Sequence, residues 1–140
     1  MEKKYRPVGS GRVLDGADVM GMKVLIRREK FAIARVMKPL KECFAVVDDG
    51  EEISVVIDQS RLNEADVLQV EGDWRIITFD AVLPFDLVGF LAMVSSALSE
   101  EGVGVFVISA YSTDHLLVKE RDLEKALVKL REVGFGVVLA

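Results

Sequence analysis

The sequence predicts an α+β domain, and three observations carry that expectation. Two stretches repeat apolar residues at helical spacing: Leu87, Phe90, Leu91, Val94 and Leu98 in one, Leu123, Ala126, Leu127, Leu130 and Val133 in the other. Around them run short segments rich in β-branched residues, at 74–79, 105–108, 116–118 and 136–139. Glycines and polar residues punctuate the boundaries. From Trp74 onward the order is therefore strand, helix, strand, strand, helix, strand. That is the βαββαβ arrangement of ferredoxin-like folds, in which two helices cover one face of an antiparallel sheet. The other face needs a cover. The strand-rich first half of the chain is one candidate and a second copy of the protein is the other.

Taken in order, residues 1–20 hold Pro7, Gly9, Gly11 and Gly16 with no sustained period, and read as an N-terminal arm. Strands are expected at 22–26, 31–36 (closed by Pro39), 44–47 and 53–57. Asp49-Gly50 is a hairpin signal between the last two. Residues 63–68 are too short for a sustained helix, and Gly72-Asp73 is expected to turn the chain into a strand at 74–79. The first helix takes its entry from Pro84 and a cap from Asp86, and Gly102 and Gly104 end it. Asp122 is the expected cap of the second helix and Gly134 its stop. The division that follows is an arm (1–20), an abbreviated strand-rich unit (21–72) and a complete βαββαβ unit (73–140). A shift of about 62 residues lays 44–47 over 106–109 and Glu52 over Asp114, a faint internal repeat.

Composition narrows the function. At 140 residues and 51% hydrophobic, the chain can bury a sizeable core. A net charge of −5 with dispersed Lys and Arg argues against nucleic acid, which needs clustered cations. No apolar run reaches the roughly 18 residues of a membrane helix, and residues 1–5 lack the apolar core of a signal peptide. A soluble, cytoplasmic protein is expected. Cys43 is the only cysteine and reads as a small core hydrophobe; His115 is the only histidine and reads as a half-buried strand residue. No nucleophile–base pair, metal-ligand cluster or phosphate loop is visible, so no cofactor and no catalysis are expected.

The polar loop between the strands at 105–108 and 116–118 is the chief functional candidate. Ser109, Tyr111, Ser112, Thr113 and Asp114 bring hydroxyls, one aromatic ring and one carboxylate together. The same residue types also make an ordinary hairpin turn by bonding their own backbone, and that alternative stays open. Trp74 and Phe79 read as core or interface anchors.

At these residues the chain resembles the ACT-like domains of small amino-acid-binding proteins related to the CASTOR arginine sensors and the regulatory half of aspartate kinases. The matching stretch is 89–134, with 108–118 as its most specific part and 52–56 as the corresponding motif of the first half. The resemblance covers about residues 22–140. It implies paired ACT units with a small effector, commonly an amino acid, bound at an interface between units. Carried over, the ligand residues are Gly89, Ser109, Tyr111, Thr113 and Asp114, with Glu52 in the first half. Ala110 stands where the family often has a hydroxyl, and His115 where a larger aromatic is common.

Elementary chemistry agrees with that implied site. An α-carboxylate suits free amides at a helix N-terminus, and Gly89 lets a ligand approach the backbone. Asp114 suits an α-ammonium or a cationic side chain. Three classes of function result: a small-molecule sensor or regulatory module that acts on a protein partner, an interaction or assembly module without ligand, and an enzyme, the last disfavoured. A homodimer is expected, two-fold closure being the commonest symmetric solution.

Overall fold

The computed structural model describes residues 21–83, 85 and 87–140. The N-terminal arm, and Pro84 and Asp86 as entry and cap of the first helix, lie outside the described residues. In chain order the elements are β1 (Lys23–Ile26), β2 (Phe31–Val36), β3 (Ala45–Asp48), β4 (Ile53–Asp58), β5 (Val67–Phe79), α1 (Phe90–Glu100), β6 (Phe106–Ser109), β7 (Asp114–Lys119), α2 (Leu123–Val133) and β8 (Gly136–Leu139). Short 3-10 turns occupy Gln59–Arg61, Glu64–Asp66 and Glu120–Asp122. The α+β, ferredoxin-like expectation holds.

All eight strands join one sheet, centred on β5. The first part of β5 pairs with β2; its last residues pair with β1 on one side and β7 on the other, all antiparallel. β6 continues the sheet beyond β7, and β8 runs parallel to β1. A strand from the first half thus lies between β5 and β8, with Val24 opposite both Phe79 and Val137. Strand pairing crosses the expected boundary at residues 72–73.

Gly72-Asp73 is not a turn that starts a strand. It is a bulge inside the 13-residue β5: Phe31 faces Trp74 and Ile33 faces Glu71, so β5 spends one residue more than β2. Asp73 takes φ +62° there. The Gln59 side chain holds the bulge, accepting from Asp73 N at 2.6 Å and donating to Asp73 Oδ1 at 3.1 Å. A Cβ on Gly72 would stand 2.8 Å from Gln59 Oε1, so a larger residue there would displace the amide that holds the bulge.

The helices bury the stripes read from the sequence. Phe90, Val94 and Leu98 of α1 and Ala126, Leu127 and Leu130 of α2 pack on Val24, Ile26, Ile77, Phe79, Leu116 and Val118. Leu87 joins this core from the preceding loop rather than from the helix. The N-cap position of α1 is Gly89, and among the described residues no side chain caps it. Asp122 occupies the N-cap position of α2 but makes no capping bond; its carboxylate sits 3.7 Å from Lys125 Nζ. Gly134 ends α2 at φ +124°, where a glycine has no Cβ to clash.

The opposite face of the β5–β7 sheet is covered from within the chain. Ile76 and Leu117, both fully buried, pack against Phe31 and Val56 of the first half. The first half's own outer face, Ala32, Ala34, Val36, Val55 and Ile57, is covered by Leu40, Cys43 and Leu62 from loops. Loops stand where the second half has helices. The internal repeat is real in geometry, with an offset of 61 residues (45 to 106, 53 to 114). Asp49 N donates to Glu52 O at 3.3 Å, and Ala110 N to Thr113 O at 2.9 Å, closing equivalent hairpins. By this register Glu52 matches Thr113, not Asp114.

Candidate functional site

Three segments converge at one end of the sheet: the loop after β5, the first turn of α1, and the β6–β7 hairpin. They enclose a concavity of about 290 Å³. Gly89, Ser109, Tyr111, Thr113 and Asp114 all line it, with Leu83, Phe85, Leu87, Phe90, Leu91, Ala92 and Ala110. Its volume lies at the lower end of the roughly 300–1,000 Å³ of small-molecule sites, which suits a ligand smaller than a drug.

The hairpin fixes its carboxylate. Ser109 and Asp114 face each other across β6 and β7, and Ser109 Oγ donates to Asp114 Oδ1 at 2.7 Å. Thr113 serves as an anchor, its hydroxyl donating to Phe79 O at 2.8 Å and tying the hairpin to the end of β5. Leu83 N donates to Ser112 O at 2.6 Å, which pins the loop after β5 to the same hairpin. Tyr111 meets Phe85 edge to face, with centroids 4.8 Å apart, although the residues are 69% and 71% exposed. Two large rings thus stand at the mouth with much of their surface uncovered.

Gly89 supplies the backbone side. At φ +85° it has no heavy atom within 4 Å of where a Cβ would stand, so its role is conformational and leaves the approach open. The helix begins with Met93 N donating to Gly89 O at 2.9 Å. Among the described residues no side chain caps the first-turn amides, and that turn holds no acidic residue. An uncapped helix start attracts anions.

Glu52 is elsewhere. It borders a different, more open concavity with Arg35, Ser54, Gln69 and Glu71, and its carboxylate lies 3.5 Å from Arg35 Nε. His115 points to the opposite face of the sheet from the candidate site, with Nδ1 2.7 Å from Thr78 Oγ1 and its ring edge-on to Phe44 at 5.0 Å. Burial holds its imidazole below the ordinary value; Arg27 acts in the same direction and Asp114 against it. Cys43 donates to Leu40 O at 3.4 Å, and burial pushes its thiol up, away from a reactive thiolate. Among the described residues no group of three or more His, Cys, Asp or Glu is placed to hold a metal.

Sequence reasoning missed the apolar wall. Leu87, Phe90 and Leu91 were legible only as a helix stripe, and Phe85 stood outside it. An aromatic ring off the stripe beside Pro84 was the available signal.

A sheet with two helices on one face and a strand-rich unit packed on the other is an α+β, ferredoxin-like architecture. Residues 69–132 match the family model described as the ACT domain. These residues form an ACT-like domain. It resembles the crystal structure of an Agobacterium tumefaciens protein at 29% identity and a TM-score of 0.74, covering 86% of this chain and 94% of that one. It is similar in fold to aspartate kinase from Clostridium acetobutylicum (14% identity, TM-score 0.63), over 79% of this chain and 34% of the kinase. The regulatory subunit of aspartate kinase from Thermus thermophilus also matches (11% identity, TM-score 0.59), over 82% of this chain and 98% of that one. No curated protein matches the sequence.

Proposed function

We propose that the protein is a regulatory module that binds a small molecule, an amino acid, in the concavity beside Gly89 and Asp114, and that it acts without catalysis. The observation that carries this reading is the meeting of five residues, Gly89, Ser109, Tyr111, Thr113 and Asp114, around one cavity. A zwitterion fits the two polar poles there. The start of the 11-residue α1, uncapped among the described residues, suits an α-carboxylate, and Asp114, already oriented by Ser109, suits an α-ammonium. Regulation would act by population shift, in which ligand favours one arrangement of units to the extent of its differential affinity.

That arrangement is proposed to be a homodimer in the cytoplasm, with a regulated protein as further partner and no nucleic acid or membrane. No helix among the described residues is long and apolar enough to cross a membrane. The edges of the sheet favour self-association: β6 and β8 carry no charged residue, and Phe106, Val138 and Leu139 are exposed there. Such edges also suit a ligand-free assembly module, the second reading. A thermal-shift screen against the twenty amino acids separates the two. A hit abolished or strongly reduced in Asp114→Asn supports the sensor, whereas no shift with any amino acid leaves the assembly module. Light scattering at micromolar concentration tests the dimer, and a strict monomer would remove it.

A further inference from the structure

We infer that the cavity takes an amino acid with a neutral, apolar side chain and discriminates against acidic and basic ones. The inference rests on the reading of the concavity as an amino-acid site and specifies its ligand class. Among the described lining residues Asp114 is the only carboxylate, and no Lys, Arg or His is present. Once Asp114 engages the α-ammonium, no charged group remains among the described lining residues for the side chain of the ligand. What remains is apolar: Leu83, Leu87, Leu91 and the edge-to-face rings of Phe85 and Tyr111.

The exposure of those rings gives the wall its purpose. At 71% and 69% exposed they offer apolar surface that a leucine or phenylalanine side chain would remove from water. An aspartate side chain would bring a second carboxylate beside Asp114 with no cation to balance it. A lysine side chain would bring a second ammonium with no second carboxylate among the described lining residues. Both leave a charge incompletely compensated in a largely apolar wall, and selectivity arises from that penalty as much as from the apolar contact. Ser109 adds no charge, because its hydroxyl is already directed to Asp114 Oδ1.

Isothermal titration of the full chain tests this with leucine, phenylalanine, glycine, aspartate, lysine and N-acetylleucine. The expected result is binding of leucine or phenylalanine at least tenfold tighter than aspartate and lysine, with N-acetylleucine, which lacks the ammonium, at least tenfold weaker than leucine. Tyr111→Ala removes an exposed ring, so the fold should persist with its melting temperature unchanged. It should weaken leucine at least fivefold and leave glycine unaffected. Aspartate or lysine binding as tightly as leucine, or an equal loss for leucine and glycine in Tyr111→Ala, would overturn the ligand class while leaving the site in place. If no amino acid binds, or if leucine binds equally well to Asp114→Asn, the site itself is wrong and the inference falls with it.

Discussion

Asp114→Asn separates a ligand contact from a structural turn. The substitution keeps the shape of the side chain and an oxygen able to accept from Ser109 Oγ, now 2.7 Å from Asp114 Oδ1. The unliganded protein loses only charge assistance in a partly exposed bond, worth at most about 1 kcal/mol. For a domain of this size that is a shift of no more than about 4 °C. The liganded protein loses much more. A hydrogen bond to a charged partner contributes roughly 1.5–3 kcal/mol, so the dissociation constant should rise about tenfold to a hundredfold.

In a thermal-shift assay with ligand at 100 times the wild-type dissociation constant, stabilisation is about 2.7 kcal/mol, or roughly 10 °C. At the same concentration the variant should gain only about 0.4–1.4 kcal/mol, roughly 2–6 °C. Two results refute the reasoning. An undiminished shift in a folded variant shows that Asp114 does not hold the ligand. A fall of more than about 10 °C without ligand shows that the carboxylate is structural and the β6–β7 hairpin only a turn.

Other positions test the scaffold. Gly89→Ala places a Cβ in open space but at φ +85°, so it should cost about 1–2 kcal/mol by conformation alone in urea denaturation; a neutral result would contradict a left-handed cap in solution. Leu98→Ala and Leu117→Ala empty fully buried sites on opposite faces of the sheet, and each should cost about 2–5 kcal/mol; under 1 kcal/mol at Leu117 would mean that the first half does not cover that face. His115 is lowered when folded, so between its folded value and about 6.5 the unfolded chain binds the extra proton. Stability should therefore be full above that window and fall as pH drops through it, with His115→Gln flattening this part of the profile; an unchanged profile in His115→Gln would remove His115 as the cause.

Local patterns made much of this architecture readable. The stripes of α1 and α2 have the spacing of buried helices, and Gly134 stops α2 where glycine tolerates φ +124°. Apart from β5, which begins at Val67 rather than Trp74, the strands fell within a residue or two of their observed bounds. Long-range decisions were hidden. Nothing near Val24 indicates that it will lie between Phe79 and Val137. Gly72-Asp73 looks like a turn because the residue that turns it into a bulge, Gln59, is 14 positions from Asp73. Asp122 has the chemistry of a cap, yet it makes no capping bond to α2. At the candidate site the polar residues were legible because their types are unusual between apolar strands. The rings were not, because Phe85 gains its neighbour Tyr111 only when the loop after β5 is tied to the hairpin through Leu83 and Ser112.

The pseudo-repeat also explains why the proposed site should occur once per chain. At the equivalent place in the first half, the 61-residue register puts Asp48 for Ser109, Glu52 for Thr113 and Ile53 for Asp114. Asp48 Oδ1 and Asp49 Oδ1 accept from backbone amides of their own hairpin, at Gly50 and at Glu51 and Glu52. A loop replaces the helix whose first turn would receive a carboxylate, and Leu40 and Cys43 from that loop serve as core. The first half therefore keeps the strands without either pole of the proposed zwitterion site, and it covers Ile76 and Leu117. Two hairpins of one geometry thus differ in their residues, one packing as scaffold and one lining the candidate site. Communication between two ligands then requires two chains.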